Sequence, residues 1–343
     1  MQRDYQALQS IVSSHDIASL KQLYPMEKSS AGLERVIKRI FFGFIAMMVV
    51  VFYLTVVLAH ETWTQFAFIG IGLVCLVLSV WAYRFQQRKL LTTRVRLHRF
   101  ATANGLKYLP VTTDPPHSGI IFSVGRDRRA ENRLMSGQAN QYEIANYQYV
   151  TGSGKNRSVI TYGYICVYLD RNLPNMVLDS KQNNIRVFGA QLSNLPITFH
   201  KDQILELEGD FNKYFTLYAP KEYERDALYI FAPDLMALLI DEASTYDVEI
   251  VDDRLYVYSN TSFGLEDPAV LERLFKIIAT VGKKTVTQTD RYADERTGEM
   301  VVQNIVAQPG RRLKRKTGWF LTALTIIYVS YQIIQYFITM FNK

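Results

Sequence analysis

The sequence predicts an α+β protein that is held in a membrane by three transmembrane helices. Three observations carry this prediction. Two long apolar runs lie near the amino terminus, a third lies near the carboxyl terminus, and the region between them alternates between strand and helix periodicity. With 343 residues, of which 48% are apolar, the chain is long enough for a membrane part and one globular domain.

The first two apolar runs predict a transmembrane helical hairpin over residues 40–83. Ile40 to Ala59 contains no charged residue and has the roughly 20 residues that a spanning helix needs. Phe66 to Tyr83 is shorter and equally uncharged, and Trp63 and Trp81 lie where aromatic residues mark membrane interfaces. Basic residues flank only the outer ends of the hairpin, so the amino terminus and the globular domain are expected in the cytoplasm.

The third apolar run, residues 318–341, predicts a helix that leaves the cytoplasm, because a basic run precedes it at Arg311 to Lys316. The expected localisation is therefore a multi-pass protein of a bacterial cytoplasmic membrane with its carboxyl terminus outside. Polar residues on one face of this helix are expected to pack against the hairpin or a second copy. They are Thr325, Tyr328, Gln332, Gln335 and Thr339.

Two segments flank the hairpin on its cytoplasmic side. Residues 1–39 have weak helical periodicity and predict a tail that either docks on the globular domain or membrane or stays partly ordered. Residues 84–104 predict a basic helical stem that Asn104 and Gly105 end. Arg94, Arg96 and Arg99 of the stem either bind lipid head groups or only set the orientation.

The globular domain is predicted over residues 105–282. A period of two indicates an antiparallel hairpin, with strands Tyr142 to Val150 and Tyr162 to Leu169 joined by a glycine-rich tip. The other predicted elements are a strand over Phe211 to Tyr218, a helix over Pro233 to Ala243, a hairpin over Val248 to Tyr258 that turns at Asp252-Asp253-Arg254, a helix that begins at Asp267-Pro268, and a polar and basic linker over residues 283–317.

The charge distribution argues against nucleic acid as a partner. The net charge is +7, but fifteen of the 39 Lys and Arg residues flank the apolar runs. The 24 that remain face 32 Asp and Glu, so the rest of the chain is net acidic. Membrane lipids and a protein partner or second copy, recruited through the third helix, are the partners expected instead.

Two candidate binding surfaces follow from residue clusters. The arginine cluster Arg126, Arg128, Arg129 and Arg133 is a candidate site for a phosphate or lipid head group, because guanidinium groups donate paired hydrogen bonds; a solvated turn is the competing interpretation. Tyrosines concentrated on the predicted hairpin are a candidate recognition face, with cross-strand packing as the alternative. They are Tyr147, Tyr149, Tyr162, Tyr164 and Tyr168.

No residue set indicates a catalytic centre, a metal or a cofactor. The five histidines are scattered and do not form a metal-ligand spacing with Cys, Asp or Glu. Gly152-Ser153-Gly154-Lys155 lacks the glycine and hydroxyl residues that a phosphate-binding loop requires. Cys166 lies in an alternating strand, which favours a packed side chain over a nucleophile.

Several segments of residues 97–258 together resemble a broad group of uncharacterised bacterial membrane proteins that carry a cytoplasmic domain of unknown function. The resemblance covers about half of the chain and implies a bacterial cytoplasmic membrane, but it implies no activity. Its segments are Leu97 to Ala101, Asn104 to Tyr108, Phe122 to Arg126, Asn146 to Val150, Phe211 to Phe215 and Pro233 to Met236.

The leading functional hypothesis is a membrane-anchored binding or scaffolding protein that presents its cytoplasmic domain at the inner face of the membrane, and no enzyme activity is required. One alternative is an enzyme acting on a membrane-associated or phosphorylated substrate, with its site at the arginine cluster. Another is an accessory or pore subunit of a membrane complex, in which the polar face of the third helix meets water.

Overall fold

A computed structural model describes residues 3–25, 43, 50, 53, 62–137, 141–187, 190–207, 209–297 and 304–316. The chain divides into two compact units. Unit 1 contains residues 1–115, 127–164 and 262–275, and unit 2 contains residues 116–126, 165–261 and 276–343. Helices accompany antiparallel strands, so the α+β part of the predicted fold class is confirmed.

The prediction of three transmembrane helices is wrong for the part of the chain that the structure describes. No helix there is both long and apolar enough to cross a membrane. The proposed second span, Phe66 to Tyr83, is only the first part of helix α2, Thr62–Ala103, which continues into a basic segment. The predicted multi-pass localisation in a bacterial inner membrane is therefore not supported either.

The other two proposed spans, residues 40–59 and 318–341, lie almost wholly outside the described residues. The same is true of the polar face of the third helix. Its members are Thr325, Tyr328, Gln332, Gln335 and Thr339.

In unit 1, a short helix packs against the long one. Helix α1, Ser14–Leu23, begins with a capping box in which Ser13 and Asp16 satisfy each other's backbone N–H groups. Helix α2 ends as predicted at Asn104 and Gly105, and Gly105 has the left-handed φ of +64° that a glycine stop uses. The carboxyl-terminal part of α2 is buried in the unit, with Leu97 and Phe100 fully inaccessible to solvent.

The sheet of unit 1 is antiparallel. Strand β1, Leu106–Thr113, pairs with β2, Arg126–Ser136, in a register that joins Leu106 to Ser136. Strand β3, Tyr142–Thr151, lies between β2 and β4, Ser158–Ser180. The predicted hairpin is thus confirmed, although β4 is much longer than expected. Its first part belongs to unit 1 and its remainder to unit 2.

Unit 2 is built on the second part of β4. The strands that follow in the chain are β5, Ile185–Val187, β6, Ala190–Leu192, β7, Ile204–Leu205, β8, Phe215–Tyr218, and β9, Asp247–Ser259. Strand β8 pairs with β4 and with β7, β9 pairs with β4, and β5 and β6 form a separate hairpin. The end of β4 and the start of β9 lie beside the base of the β5–β6 hairpin, since the Ser180 N–H and Asn183 Nδ2 both donate to Asp247.

In unit 2 one helix takes the place of part of a predicted strand, and helices that were not predicted are also present. Helix α3, Phe211–Tyr214, replaces the first half of the predicted strand Phe211 to Tyr218. The chain turns at Gly209 and Asp210, and the Lys213 N–H then donates to the Asp210 carbonyl in a helical turn. The other helices are α4, Glu224–Ile230, α5, Pro233–Ala243, α7, Lys283–Thr289, and α8, Gln308–Arg311.

Helix α6, Pro268–Ile277, begins as predicted, since the Asp267 carboxylate accepts the N–H of Ala269 at 2.9 Å. The predicted linker over residues 283–317 contains helices α7 and α8. Its last part is held by two buried amides. Asn175 Oδ1 accepts the N–H of Leu313, and the Gln203 side chain bonds both the N–H and the carbonyl of Lys314.

Residues 248–258, predicted as a hairpin, lie in strand β9, which is assigned without a break from Asp247 to Ser259. The Tyr258 hydroxyl nevertheless donates to Glu249 Oε2 at 2.7 Å, although the two residues are nine positions apart. An unbent strand would separate them by roughly 30 Å. The strand must therefore bend sharply, and Asp252, with a φ of +54°, lies where the turn was predicted.

Candidate functional site

A cleft of about 400 Å³ lies beside helix α4 in unit 2. Helix α4 supplies Arg225, Asp226 and Tyr229, and the segment after α7 supplies the other side. We call this feature the arginine cleft. Its remaining lining residues are Arg291, Tyr292, Ala293, Glu295 and Arg296.

The floor of the arginine cleft is a fixed network around Arg296. Its guanidinium donates to Asp226 at 3.0 Å and to Asp294 at 3.1 Å, and also to the carbonyl of Glu222. The same group lies 3.9 Å from the centre of the Tyr223 ring. Arg296 is thus held on four sides and acts as a structural cation.

The carboxylates of this floor are occupied by donors. Asp226 also accepts the hydroxyl of Tyr292 at 2.7 Å, and Asp294 accepts the hydroxyl of Tyr223 at 2.6 Å and the N–H of Ala307 at 2.9 Å. Burial alone would raise the pKa of Asp294, but these hydrogen bonds and Arg296 lower it. A carboxylate with a lowered pKa and filled acceptor sites is a poor general base.

The rim differs from the floor, because Arg225 and Arg291 are exposed and have no ion pair or hydrogen bond within the described residues. Once Arg296 neutralises Asp226, the rim retains these two arginines against Glu295. Leu228 and Tyr229 are 51% and 43% exposed on the same helix as Arg225. Spacings of three and four put them on the face of Arg225, so the rim combines positive charge with apolar surface.

The arginine cluster predicted from the sequence is mostly paired. Arg128 bonds Asp114 at 2.8 Å, Arg129 bonds Glu131 at 3.0 Å, and Arg133 bonds the buried Glu143 at 2.6 Å. Arg126 is exposed at the start of β2. Guanidinium groups already committed to carboxylates have little capacity left for a phosphate.

The stem arginines contact the chain's own amino-terminal segment. Arg96 donates to the carbonyl of Ser10 at 3.1 Å. Arg99 donates to the Ile11 carbonyl at 3.0 Å and pairs with Asp16 at 2.7 Å, and Arg94 is buried. The docked arrangement considered for residues 1–39 is thus present in the described residues 3–25. Arg96 and Arg99 hold this segment on the stem, and the Tyr24 hydroxyl donates to the carbonyl of Tyr108 in the globular domain.

The candidate tyrosine face is mostly interior. Tyr147, Tyr149, Tyr162 and Tyr164 are buried in unit 1, and the rings of Tyr149 and Tyr162 stack with centroids 6.2 Å apart. Cross-strand packing, the alternative considered from the sequence, accounts for these four. Tyr168 lies in unit 2, half-buried, with the Arg254 guanidinium 5.3 Å from its ring centre.

A second polar network lies in the interior of unit 2, around Glu249. Its Oε2 accepts the N–H of Ile120 and the Tyr258 hydroxyl, each at 2.7 Å, and its Oε1 accepts Asn175 Nδ2 at 3.3 Å. Burial raises the pKa of Glu249 to about 7 in spite of these donors. The group is sealed from solvent, so the network ties segments together without offering a substrate access.

In the described parts of the chain, no group of three or more His, Cys, Asp or Glu side chains is positioned to hold a metal ion. Cys166 is buried and forms no disulfide within the described residues, in agreement with its prediction as a packed side chain.

Sequence reasoning missed the arginine cleft. Arg225 lies in a short helix that was not predicted, and Arg291 and Arg296 lie in the stretch interpreted as a linker. One available signal was the density of Arg, Tyr and acidic residues in both stretches.

Comparison with known proteins adds little to this geometry. No family model matches the chain, and no curated protein matches it. Among solved structures, the crystal structure of the mycobacterial trehalose monomycolate transport factor A, TtfA, is similar over 53% of this chain and 91% of that chain, with a TM-score of 0.32 and 13% identity. A likeness this low does not inform the function of the chain.

Proposed function

We propose that this chain is a binding protein whose arginine cleft takes an acidic segment of a protein partner. The observation that carries the proposal is the rim, where Arg225 and Arg291 are exposed without an ion pair in the described residues, over a floor fixed by Arg296. Exposed guanidinium groups that are not paired with a carboxylate of their own chain attract the carboxylates of a partner.

A protein segment fits this rim better than a small anion does. Leu228 and Tyr229 extend the surface beyond the arginines and are largely uncovered. A lone phosphate would leave that apolar area exposed to water, whereas a segment of mixed acidic and apolar residues would cover it. The occupant is therefore a peptide that alternates acidic and apolar side chains.

The enzyme alternative has less support. It placed a phosphorylated substrate at the arginine cluster, where Arg128, Arg129 and Arg133 are paired with carboxylates. In the arginine cleft, Asp226 and Asp294 are occupied by hydrogen-bond donors, so no general base is available among them. The accessory-subunit alternative rests on the third apolar run, which lies outside the described residues.

Charge reversal at the rim tests the proposal. The probe is a fluorescein-labelled peptide that alternates Glu with Leu and Phe, and its binding to the full chain is measured by fluorescence anisotropy. Arg225→Glu and Arg291→Glu are each expected to weaken binding about tenfold, since each replaces an attraction with a repulsion. Binding should also weaken as salt is added.

The matched control is Lys201→Glu, which makes the same charge change at an exposed residue outside the cleft lining. It should leave the affinity within about twofold, because distant surface charges are screened. Failure of the wild-type chain to bind the peptide, or equal affinity for a peptide with Lys in place of Glu, would overturn the proposal.

A further inference from the structure

A pocket of about 330 Å³ lies in unit 1 between helices α1 and α2. Ser14 and Ile17, one turn apart on α1, form one wall, and a single face of α2 within residues 83–91 forms the other. We call this feature the α1–α2 pocket. Its volume is at the lower end of the range for small-molecule sites, which suits the polar head of a ligand.

Contacts further along the helices hold the two walls of the pocket together. Arg99 of α2 pairs with Asp16 of α1 at 2.7 Å, and Asp16 also caps the first turn of α1 together with Ser13. Leu20 of α1 is 5% exposed. The pocket is therefore part of the packed arrangement of α1 on α2.

The charge of the pocket comes from two arginines. Arg84 and Arg88 line it, both are exposed, and neither forms an ion pair or a side-chain hydrogen bond in the part of the chain that the structure describes. Helix α2 contains no Asp or Glu along its whole length. The two guanidinium groups are four positions apart on one helix and repel each other, so an anion held between them would relieve this repulsion.

Neutral hydrogen-bonding groups line the same pocket. The side chains of Ser14, Tyr83 and Gln87 likewise have no hydrogen bond within the described ranges. With the arginines they offer several N–H and O–H donors to one ligand. A phosphate group matches this lining, because it carries about two negative charges at neutral pH and presents several strong acceptor oxygens.

Apolar side chains continue along α2 from the arginines. Val80 and Val77 lie four and seven positions before Arg84, which places all three on one side of the helix. They are 45% and 64% exposed, respectively. Ile17 and Leu91 add apolar surface to the pocket itself. A ligand with an apolar chain beyond its phosphate would cover the two valines, whereas inorganic phosphate would leave them in water.

We propose that the α1–α2 pocket binds a phosphate monoester that carries one apolar chain. The phosphate lies between Arg84 and Arg88, and the chain lies along Val80 and Val77. Arginine suits this role because its planar guanidinium donates two parallel hydrogen bonds to a phosphate. The pocket shares no residue with the arginine cleft, so the two proposals stand or fall separately.

Isothermal titration calorimetry of the full chain tests this site with lauroyl lysophosphatidic acid, kept below its critical micelle concentration. Glycerol 3-phosphate keeps the phosphate without the chain, and monolaurin keeps the chain without the phosphate. Each is expected to bind about tenfold more weakly than the intact amphiphile or less, because each satisfies only one part of the pocket. Arg84→Gln and Arg88→Gln should each weaken binding of the lysophosphatidic acid about tenfold.

Lys89→Gln is the matched control, because Lys89 is exposed on the same helix and lies outside the pocket lining. It removes the same charge and should leave the affinity within about twofold. Ile17→Trp keeps every charge and should weaken binding, since the larger side chain fills the pocket. Thermal unfolding confirms that each variant is folded.

Three results would overturn the proposal. The first is a wild-type chain that does not bind the lysophosphatidic acid. The second is an equal loss of affinity in Lys89→Gln and Arg88→Gln, which would indicate a diffuse effect of charge. The third is equal affinity for the intact amphiphile and for either of the two partial probes, which would mean that the pocket recognises a free phosphate ester or an uncharged chain instead.

Discussion

Arg133→Ala is expected to lower the free energy of unfolding by about 3–5 kcal/mol. Arg133 forms a bidentate pair with Glu143, with Nη2 to Oε2 at 2.6 Å and Nε to Oε1 at 3.0 Å. The Glu143 side chain is 1% exposed, and it also accepts the hydroxyl of Tyr164. Removing the guanidinium would leave a carboxylate buried in the sheet of unit 1 without its cation. This uncompensated buried charge is the main source of the lost stability.

Urea unfolding of the wild type and variant at neutral pH measures this loss. The matched control is Arg128→Ala, because Arg128 pairs with Asp114 at 2.8 Å with side chains that are 33% and 64% exposed. It should cost less than about 1 kcal/mol, as surface pairs usually do. Arg133→Lys should recover only part of the loss, since an ammonium cannot reproduce the paired hydrogen bonds. Equal losses for the two alanine variants would contradict the distinction between them.

Arg133 also shows why a site can be misread from sequence. It follows Arg126, Arg128 and Arg129 closely, and this spacing made an anion site one interpretation, with a solvated turn as the other. Its partner Glu143 is ten residues away on the next strand, and strand pairing brings the two together. Local spacing reveals which residue types are near each other in the chain, but the register of the sheet decides which charges are neutralised.

Elements with strong local signals were predicted well. The stop at Asn104-Gly105, the Asp267-Pro268 helix start and the β3–β4 hairpin each depend on a few neighbouring residues, and each is present. The helix start at Pro233 has the same origin. These features are encoded within a few positions, where turn and capping chemistry act.

Features that depend on distant contacts were missed. The arginine cleft joins helix α4 to residues 291–296, and a buried pair, Asp179 and Asp247, joins the ends of two strands. The apolar run Phe66 to Tyr83 was interpreted as a membrane span from its hydropathy and flanking residues, whereas no helix of the described residues is long and apolar enough to cross a membrane. The continuation of its helix as the stem was predicted and is present. Hydropathy identifies an apolar segment without identifying what covers it.

Glu249→Gln is expected to make the chain progressively more stable than the wild type as pH rises from about 4.5 to 7. The folded pKa of Glu249 is about 7, against 4.5 for an unperturbed carboxyl, so the folded state binds the proton more tightly than the unfolded state. Its contribution to stability is complete below pH 4.5 and is lost as pH rises through 7. The expected change is on the order of 3 kcal/mol.

Glutamine isolates this effect because it has nearly the same shape and retains one carbonyl oxygen for Ile120 and Tyr258, while it cannot ionise. Urea unfolding at several pH values between 4.5 and 8 gives the difference between the two free-energy curves. Asp179 and Asp247 titrate in both proteins and cancel in that difference, whereas the exposed Glu206→Gln control should follow the wild-type curve. A constant offset between Glu249→Gln and the wild type would mean that the interior carboxyl does not control stability in this pH range.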